Sequence, residues 1–487
     1  MRILLKRTIS FMLLCILLFS VGMTAYAAPA PLPGGSRIGG RAVARTDSGE
    51  PVCVLINTEK ISFSIRFDSL PESDNGIIFV YELRPYEYSV PEGASPVAAT
   101  ILSLNPTVTI SYTEKRLFSK FVFATRQNGS IVALCTPQYI TNPEFLASDN
   151  SELKALPSKG MQGVLFANYT LDNVGNDPRQ VKGCRVIEIL NKGTNSTLNN
   201  PAMKNKETHS YGSGPYYYLL NASNEDGIAL LSERIKSLAK TTPAQYFIVG
   251  NEVNVRSWNY APYMEWDDYV KEYTQIFRVA YNAIKSVKAN AVVMTCIDQQ
   301  WDRNRPTTDA EYYMYIDSKD FLLKFNSDVT KEGNIDWGVA AHPHTVPIFY
   351  SKFWDMSGVA NGAYYASLVN NGNMMTYQNI SLLTNLLQTD SFKKPDGDVR
   401  FVACTETIIS NSSGADVQGA ALYASYVAIK RNPYIHTIIY LEDHGQNGGF
   451  TGKAQEVYNN MDGANAGNYD AWARSVIGIS DWSQILR

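Results

Sequence analysis

Cysteine and histidine are scarce in this 487-residue chain, with 6 and 5 copies respectively. No two cysteines stand at C-x-x-C spacing, which argues against a zinc site built on thiolates. No block of Lys or Arg occurs, and the formal net charge is −3, so the electrostatic footprint of a DNA- or RNA-binding protein is missing. No G-x-G-x-x-G or Walker loop follows any apolar run, which removes the usual signature of a nucleotide cofactor. Beyond the extreme N-terminus no segment is apolar for the ~20 residues that a membrane span needs. What remains is ordinary: 45% hydrophobic and 18% charged residues suit a folded globular chain rather than a disordered one.

The first 27 residues carry Arg2, Lys6 and Arg7 and no acid, then an apolar run from Phe11 to Val21, then Ala25-Tyr26-Ala27. Basic start, short apolar core and small residues at the cutting positions predict a secretory signal peptide cleaved after Ala27. A single membrane anchor would need a longer run, and Cys15 follows Leu14 rather than the small residue that lipid attachment requires. The expectation is therefore a soluble, extracellular mature protein. Its five remaining cysteines are Cys53, Cys135, Cys184, Cys296 and Cys404. In an oxidising compartment Cys53 and Cys135 either pair or stay as two buried thiols; the other three sit inside apolar runs and read as core residues.

Two zones follow the leader at residues 28–49. Between 50 and 145, short alternating runs such as Val52–Ile56, Phe63–Phe67, Ile77–Tyr81, Val108–Tyr112 and Phe121–Ala124 are separated by turn residues, predicting a small β-sandwich. That unit could bind sugar through exposed aromatics, but packing support for its neighbour is the better reading. From 155 to 487 apolar strands alternate with amphipathic helices, which predicts parallel strands and an α/β fold. Residues 245–249, 291–295, 337–341, 401–404 and 437–441 form a series of strands. Helices are expected around 228–238, 266–287, 320–325, 380–387 and 416–430, the clearest being the stripe from Trp266 to Val287. Five strand–helix units fit the second half of a (β/α)8 TIM barrel, whose chemistry gathers at the carboxyl ends of the strands. An open doubly wound sheet is the alternative. Ahead of residue 245, Val164–Ala167, Cys184–Leu190 and Tyr216–Leu220 are the candidate strands, and residues 169–182 hold no helical pattern, so an irregular front is expected.

Polar residues close each of these strands. Gly250-Asn251-Glu252-Val253-Asn254 ends one, Asp298 and then Trp301 follow Cys296, and His342-Pro343-His344 follow Ala341. Thr405-Glu406-Thr407 follow Cys404, and Glu442-Asp443-His444 follow Tyr440-Leu441. A carboxylate directly after an apolar run is costly to bury and favours an open cleft. Two glutamates facing each other across one cleft can divide the work of glycoside hydrolysis, one donating a proton to the departing oxygen and the other attacking the anomeric carbon.

At these residues the chain resembles the clan A retaining glycoside hydrolases, in which Asn-Glu closes the fourth strand of a (β/α)8 barrel and a second Glu closes the seventh. Gly250 to Asn254, Trp258, Tyr273, Arg278, Tyr281-Asn282, Lys285-Ser286, Asp298 and Trp301 are similar to one secreted bacterial branch of that clan. So are Tyr139 to Pro143, His342-Pro343, Phe353 to Asp355, Ile477-Gly478 and Trp482. The resemblance covers about residues 50–487 and implies a general acid/base at Glu252, a nucleophile at Glu406 and a substrate 2-hydroxyl contact at Asn251. It further implies that the pKa of Glu252 is raised, since a general acid must arrive protonated. The clan commonly places a Tyr beside the nucleophile at the end of strand six; His344 stands in that slot here and could keep Glu406 ionised.

For the other rim residues two readings stand side by side. His342 and His344 are hydrogen-bonded imidazoles of a carbohydrate site or, projecting to one face, metal ligands. Asp298 is a substrate contact or a cap of the next loop, and Trp301 a sugar platform or a core residue. Tyr440 and Asp443 are further candidate substrate contacts. No cofactor or metal is expected, since two glutamates suffice. The partner expected is a carbohydrate. The competing functional class is a non-catalytic carbohydrate-binding or surface protein on the same scaffold.

Overall fold

The computed structural model describes residues 49–162, 186–189, 191–192, 217–259, 261, 264–309, 311–441 and 449–487. The signal peptide, most of the leader, Val164–Ala167, Cys184, Glu442, Asp443 and His444 lie outside the described residues.

Eight short strands come first: β1 (Val52–Asn57), β2 (Lys60–Ser64), β3 (Ile77–Leu83), β4 (Ala98–Ile101), β5 (Thr107–Ser111), β6 (Lys120–Gln127), β7 (Ser130–Ala133) and β8 (Gln138–Tyr139). They build two antiparallel sheets, β1-β2-β5 and β4-β3-β6-β7, with β8 added to β6. Alternation does this work. In β5 every second residue is buried, and Val108 and Ile110 join Cys53, Leu55, Ile61, Phe63, Ile78, Val80, Phe121 and Phe123 in one core between the sheets. Cys53 and Cys135 are both free thiols, which decides between the two readings of that pair.

The second part is a seven-stranded parallel sheet. Its strands are β9 (Lys159–Gln162), β10 (Val186–Ile189), β13 (Tyr246–Val249), β14 (Val292–Ile297), β15 (Gly338–Ala341), β16 (Val402–Thr407) and β17 (Ile435–Leu441). The order is β10-β13-β14-β15-β16-β17-β9, every pair parallel, so the first strand in the chain pairs with the last. One face of this sheet packs on itself. Val186, Tyr246, Ile248, Met294, Cys296, Ala340, Ala403 and Ile439 form a cluster drawn from six strands and from no helix. The sheet therefore curls, as half of a barrel does.

The front departs from expectation. Two short strands, β11 (Asn191–Lys192) and β12 (Tyr217–Tyr218), pair antiparallel with each other, so Tyr216–Leu220 does not supply a third parallel strand. Val186–Ile189 instead pairs directly with β13.

The helices are α1 (Glu225–Thr241), α2 (Trp266–Lys285), α3 (Ser318–Lys331), α4 (Gly362–Asn370), α5 (Ser381–Leu387), α6 (Ala415–Arg431), α7 (Gly452–Asn460) and α8 (Ala466–Ile477). The apolar sides of all but α4 meet the outer face of the sheet in the main core, while Tyr365, Leu368 and Val369 of α4 pack in a separate cluster with Val346 and Met374. Helix α2 starts with Asp267 and Asp268 and ends on Lys285, charges that suit its dipole. Its polar side is buried too, because the antiparallel sheets lie there. Asn282 donates to the Leu117 carbonyl at 2.7 Å and Gln275 bonds the Tyr88 hydroxyl. Lys120, fully buried, pairs with Glu332 at 2.9 Å. These contacts hold the N-terminal part against α2 and against the C-terminal end of α3. Among the described residues no helix is long and apolar enough to cross a membrane.

Candidate active site

The end of β13 is shaped by its own side chains. Gly250 has φ of +79°, and a Cβ there would meet Val253 Cγ1 at 2.6 Å and Asn259 Oδ1 at 2.9 Å, so only glycine fits. Glu252 follows in a left-handed conformation with φ of +42°, a cost that a non-glycine residue bears only where its surroundings enforce it. The enforcement is visible. Asn259 Nδ2 donates to the carbonyls of Asn251 and Glu252, and the Tyr269 hydroxyl donates to the Val253 carbonyl at 2.9 Å. The Tyr273 hydroxyl reaches the Val249 carbonyl at 2.7 Å. Asn254, the last residue of the motif, accepts from the Asp298 backbone N–H at 3.0 Å and donates to Asp298 Oδ1 at 2.7 Å.

At β16 the device is different. Cys404 pairs with Ile438 and Thr407 with Tyr440, so β16 spends one residue more than β17 over this interval. Ala403 faces the concave side of the curled sheet and Cys404 the helices. Strict alternation would turn Glu406 outward with Cys404; the extra residue inverts the alternation and turns it inward.

Both glutamates thereby arrive at the mouth of the interior cluster, beside the two histidines that end β15. One ligating atom from each of Glu252, His342, His344 and Glu406 lies within 4.8 Å of the others. His342 Nδ1 is 3.0 Å from Glu252 Oε1, and its Nε2 is 3.3 Å from Cys296 Sγ in the cluster on the concave side of the sheet. His344 Nε2 stands between the carboxylates, 3.8 Å from Glu252 Oε1 and 3.9 Å from Glu406 Oε1. The imidazoles are almost fully enclosed, whereas the two carboxylates retain 12% and 10% of their surface.

These spacings fall near the edges of ~3.4 Å in a tetrahedral metal shell. The hydrogen bonding of His344 opposes a metal. Its Nδ1 accepts from the backbone N–H of Ile408 at 3.2 Å, and a backbone N–H has no other role to play. The neutral ring therefore carries its hydrogen on Nε2, which points an N–H, not a lone pair, at the carboxylates. The quartet is better matched to hydrogen bonding than to coordination.

Electrostatics correct one expectation. Burial pushes Glu252 up, but the hydrogen bond from His342 and the proximity of both imidazoles outweigh it and bring the carboxyl down to about 2. Burial likewise pulls His342 down, and the charges of Cys296 and Glu406 with the bonds to Cys296 and Glu252 raise it well above its ordinary value. Glu252 is thus held as a carboxylate by an imidazolium, where a raised pKa was expected. Repulsion from Glu406 alone would raise the carboxyl; the imidazole at hydrogen-bond distance reverses the sign.

The remaining candidates divide. Asn251 is buried at the same strand end. Asp298 is also buried, and its Oδ1 accepts from Asn254, from the Gln300 N–H at 2.8 Å and from Ser318 Oγ at 3.1 Å, which makes it a cap of the following loop. Burial first, and then the charge of Glu252, raise it to about 6. Trp301 is 4% exposed within the main core, so it packs rather than presenting a sugar platform. Tyr440 points toward α6, its hydroxyl 2.9 Å from Ser425 Oγ and 3.2 Å from the Leu422 carbonyl. It is removed from the site because it shares the outward side of β17 with Ile438, while Ile439 faces in. Cys296, read only as a core residue, is also the contact behind His342; nothing in its sequence setting marks that role.

Residues 177–485 match a family described as a family of unknown function, DUF5722. The chain belongs to that family. The match spans β10 through α8 and so contains all four site residues, while the antiparallel sheets precede it. No curated protein matches this DUF5722 chain. Solved structures similar to it include a family 39 glycoside hydrolase from the gut symbiont Bacteroides cellulosilyticus, at 13% identity, covering 77% of this chain and 71% of that one with a TM-score of 0.31. A hyperthermophilic beta-glucosidase from Pyrococcus furiosus shares 14% identity over 54% of this chain and 63% of that one, TM-score 0.32. A beta-glucosidase from Thermotoga maritima shares 9% identity over 52% and 69%, TM-score 0.26.

Proposed function

We propose that this DUF5722 protein is an exported retaining O-glycoside hydrolase acting on a β-linked oligo- or polysaccharide. Glu252 is its acid/base and Glu406 its nucleophile, on a (β/α)8 barrel of residues 155–487 preceded by a β-sandwich of residues 50–145. The observation that carries the reading is the convergence of two carboxylates from different strands, with one oxygen of each within 4.8 Å of the other. Retaining enzymes keep their carboxyl groups ~5–5.5 Å apart, whereas inverting ones leave ~6.5–9.5 Å for a water. Glu406 attacks the anomeric carbon while the glycosidic C–O bond breaks and its oxygen takes a proton from Glu252. Water, deprotonated by Glu252, then displaces Glu406 from the sugar. In this reading Asn251 meets the 2-hydroxyl, and the His344 N–H favours Glu406 as the anion that attacks.

A panel of aryl β-glycosides and polysaccharides, offered to the wild type and to Glu252→Gln and Glu406→Gln, tests this. Hydrolysis is expected in the wild type, with the anomer of the first-formed sugar retained by NMR. A fall of about 10²–10⁴-fold is expected in each variant, and indifference to chelators. An inverted first product, full turnover in Glu406→Gln, or loss of turnover on chelation would each overturn it. Sugar binding with no turnover in any of the three proteins would favour the non-catalytic reading.

A further inference from the structure

An acid/base group must deliver a proton, yet Glu252 is locked to an imidazole. Its Oε1 lies 3.0 Å from His342 Nδ1, and the other ring nitrogen is backed by Cys296 Sγ at 3.3 Å. The ring is enclosed, and Glu252 sits in left-handed backbone clamped by Asn259. We propose that His342 is a positioning residue that stores the proton of the acid/base step jointly with Glu252, the two side chains acting as one unit that holds a single transferable proton.

This rests on the hydrolase reading for its catalytic half only; the shared proton itself follows from the contact. In the first step the glycosidic C–O bond breaks, a C–O bond to Glu406 forms, and the unit's proton goes to the leaving oxygen. A neutral imidazole and a carboxylate remain. In the second step water's oxygen bonds the anomeric carbon, the bond to Glu406 breaks, and water's proton restores the unit. No oxidant or further reactant enters. Two interacting groups of this kind titrate as a pair rather than singly.

The surroundings support storage on the imidazole. Facing His342 are Cys296 from β14, Glu406 and the more distant Cys404 from β16, Glu252 from the end of β13, and the ring of His344, with Asp298 acting through Glu252. The net influence of these groups raises His342 and lowers Glu252, so the proton resides on the ring while the cleft is empty. Substrate replaces water at the exposed edge of Glu252 and so disfavours the charge-separated form, which moves the proton toward the carboxyl.

Two measurements test the proposal separately. Histidine-selective ¹⁵N labelling of the full mature chain gives five ring systems, and His342 is assigned by its loss in His342→Gln. The expected result is a doubly protonated His342 at pH 7.5 in the wild type and a neutral one in Glu252→Gln. A neutral His342 in both proteins at that pH overturns the proposal without any assay of activity. The second measurement compares kcat/KM of His342→Gln on aryl glycosides with poor and with dinitrophenyl leaving groups. A loss of about 10²-fold is expected with poor leaving groups and of less than about 3-fold with dinitrophenyl, whose departure needs no proton. Equal losses on both would reduce His342 to a structural role and overturn its part in the acid/base step. If the imidazolium signature is found but no glycoside is turned over by the wild type, the hydrolase reading fails and the shared proton stands.

Discussion

Two strand ends bring a glutamate to the same point, and they do it by opposite means. At β13 the chain is forced into left-handed backbone at Gly250 and Glu252 and clamped there by Asn259, Tyr269, Tyr273 and Asn254. At β16 the ladder continues and merely takes in one extra residue between Cys404 and Thr407. The first device stores strain and depends on many partners. The second stores little, since a bulge leaves the backbone in allowed regions. Perturbations should therefore be expensive at the first end and cheap at the second.

The largest expected effect is Gly250→Ala. A left-handed alanine costs about 1–2 kcal/mol, and the clash with Val253 and Asn259 adds about 1–3 kcal/mol. Chemical denaturation should show a loss of about 2–5 kcal/mol, accompanied by a loss of any glycosidase activity because Glu252 shifts. A variant as stable as the wild type would mean that the β13 end is not strained.

Next comes Asp298→Asn, which removes the buried carboxyl clamped to Asn254. In the folded protein this group titrates near 6, above its unfolded value of 3.8. A raised carboxyl binds protons more tightly when folded, so stability falls as pH rises from about 4 to 6, and the penalty is fully present above that window. The penalty is about 3 kcal/mol. Urea midpoints measured from pH 4.5 to 7 should shift in favour of Asp298→Asn as pH rises; a difference that stays constant with pH would sink the argument.

How much of this was legible in the sequence follows from the same contrast. From Tyr246 onward the strands are continuous apolar runs and helices α2, α3, α5 and α6 carry a period of 3.6. The structure has an element at each of these places, with α3 running six residues past its expected end; α4, α7 and α8 were not expected. The rim positions of Glu252, His342 and Glu406 were legible because polar residues directly follow apolar strands. The inward turn of Glu406 was not, because parity alone points it outward and only the pairing with β17 reveals the extra residue. The opening strand was also hidden. Lys159–Gln162 has no apolar alternation, and it is a strand because β17 offers it an edge. The ionisation of Glu252 was misread because the partner that sets it lies 90 residues away in the chain and meets it only when the sheet curls.

Tyr440→Phe probes a residue whose side was misassigned. The hydroxyl at Ser425 and Leu422 is buried, so its removal should cost about 0.5–1.5 kcal/mol. On any substrate the wild type hydrolyses, KM and kcat should be unchanged, because the ring faces α6. A raised KM with unaltered stability would return Tyr440 to the cleft.

The smallest effect is expected at the bulge itself. Thr407 is fully buried opposite Tyr440, and among the described residues its Oγ1 has no hydrogen-bond partner. Thr407→Val replaces that hydroxyl with a methyl of nearly the same shape and keeps the β-branched stem that suits a strand. Burying a lone hydroxyl is unfavourable, so the variant should be equal to the wild type or up to about 1 kcal/mol more stable. The bulge is set by the count of residues between two ladder pairs and not by this side chain, so Glu406 should keep its aim and turnover its rate. If Thr407→Val instead lost activity as Gly250→Ala is expected to, the β16 end would also depend on a side-chain clamp. The contrast between the two strand ends would then dissolve.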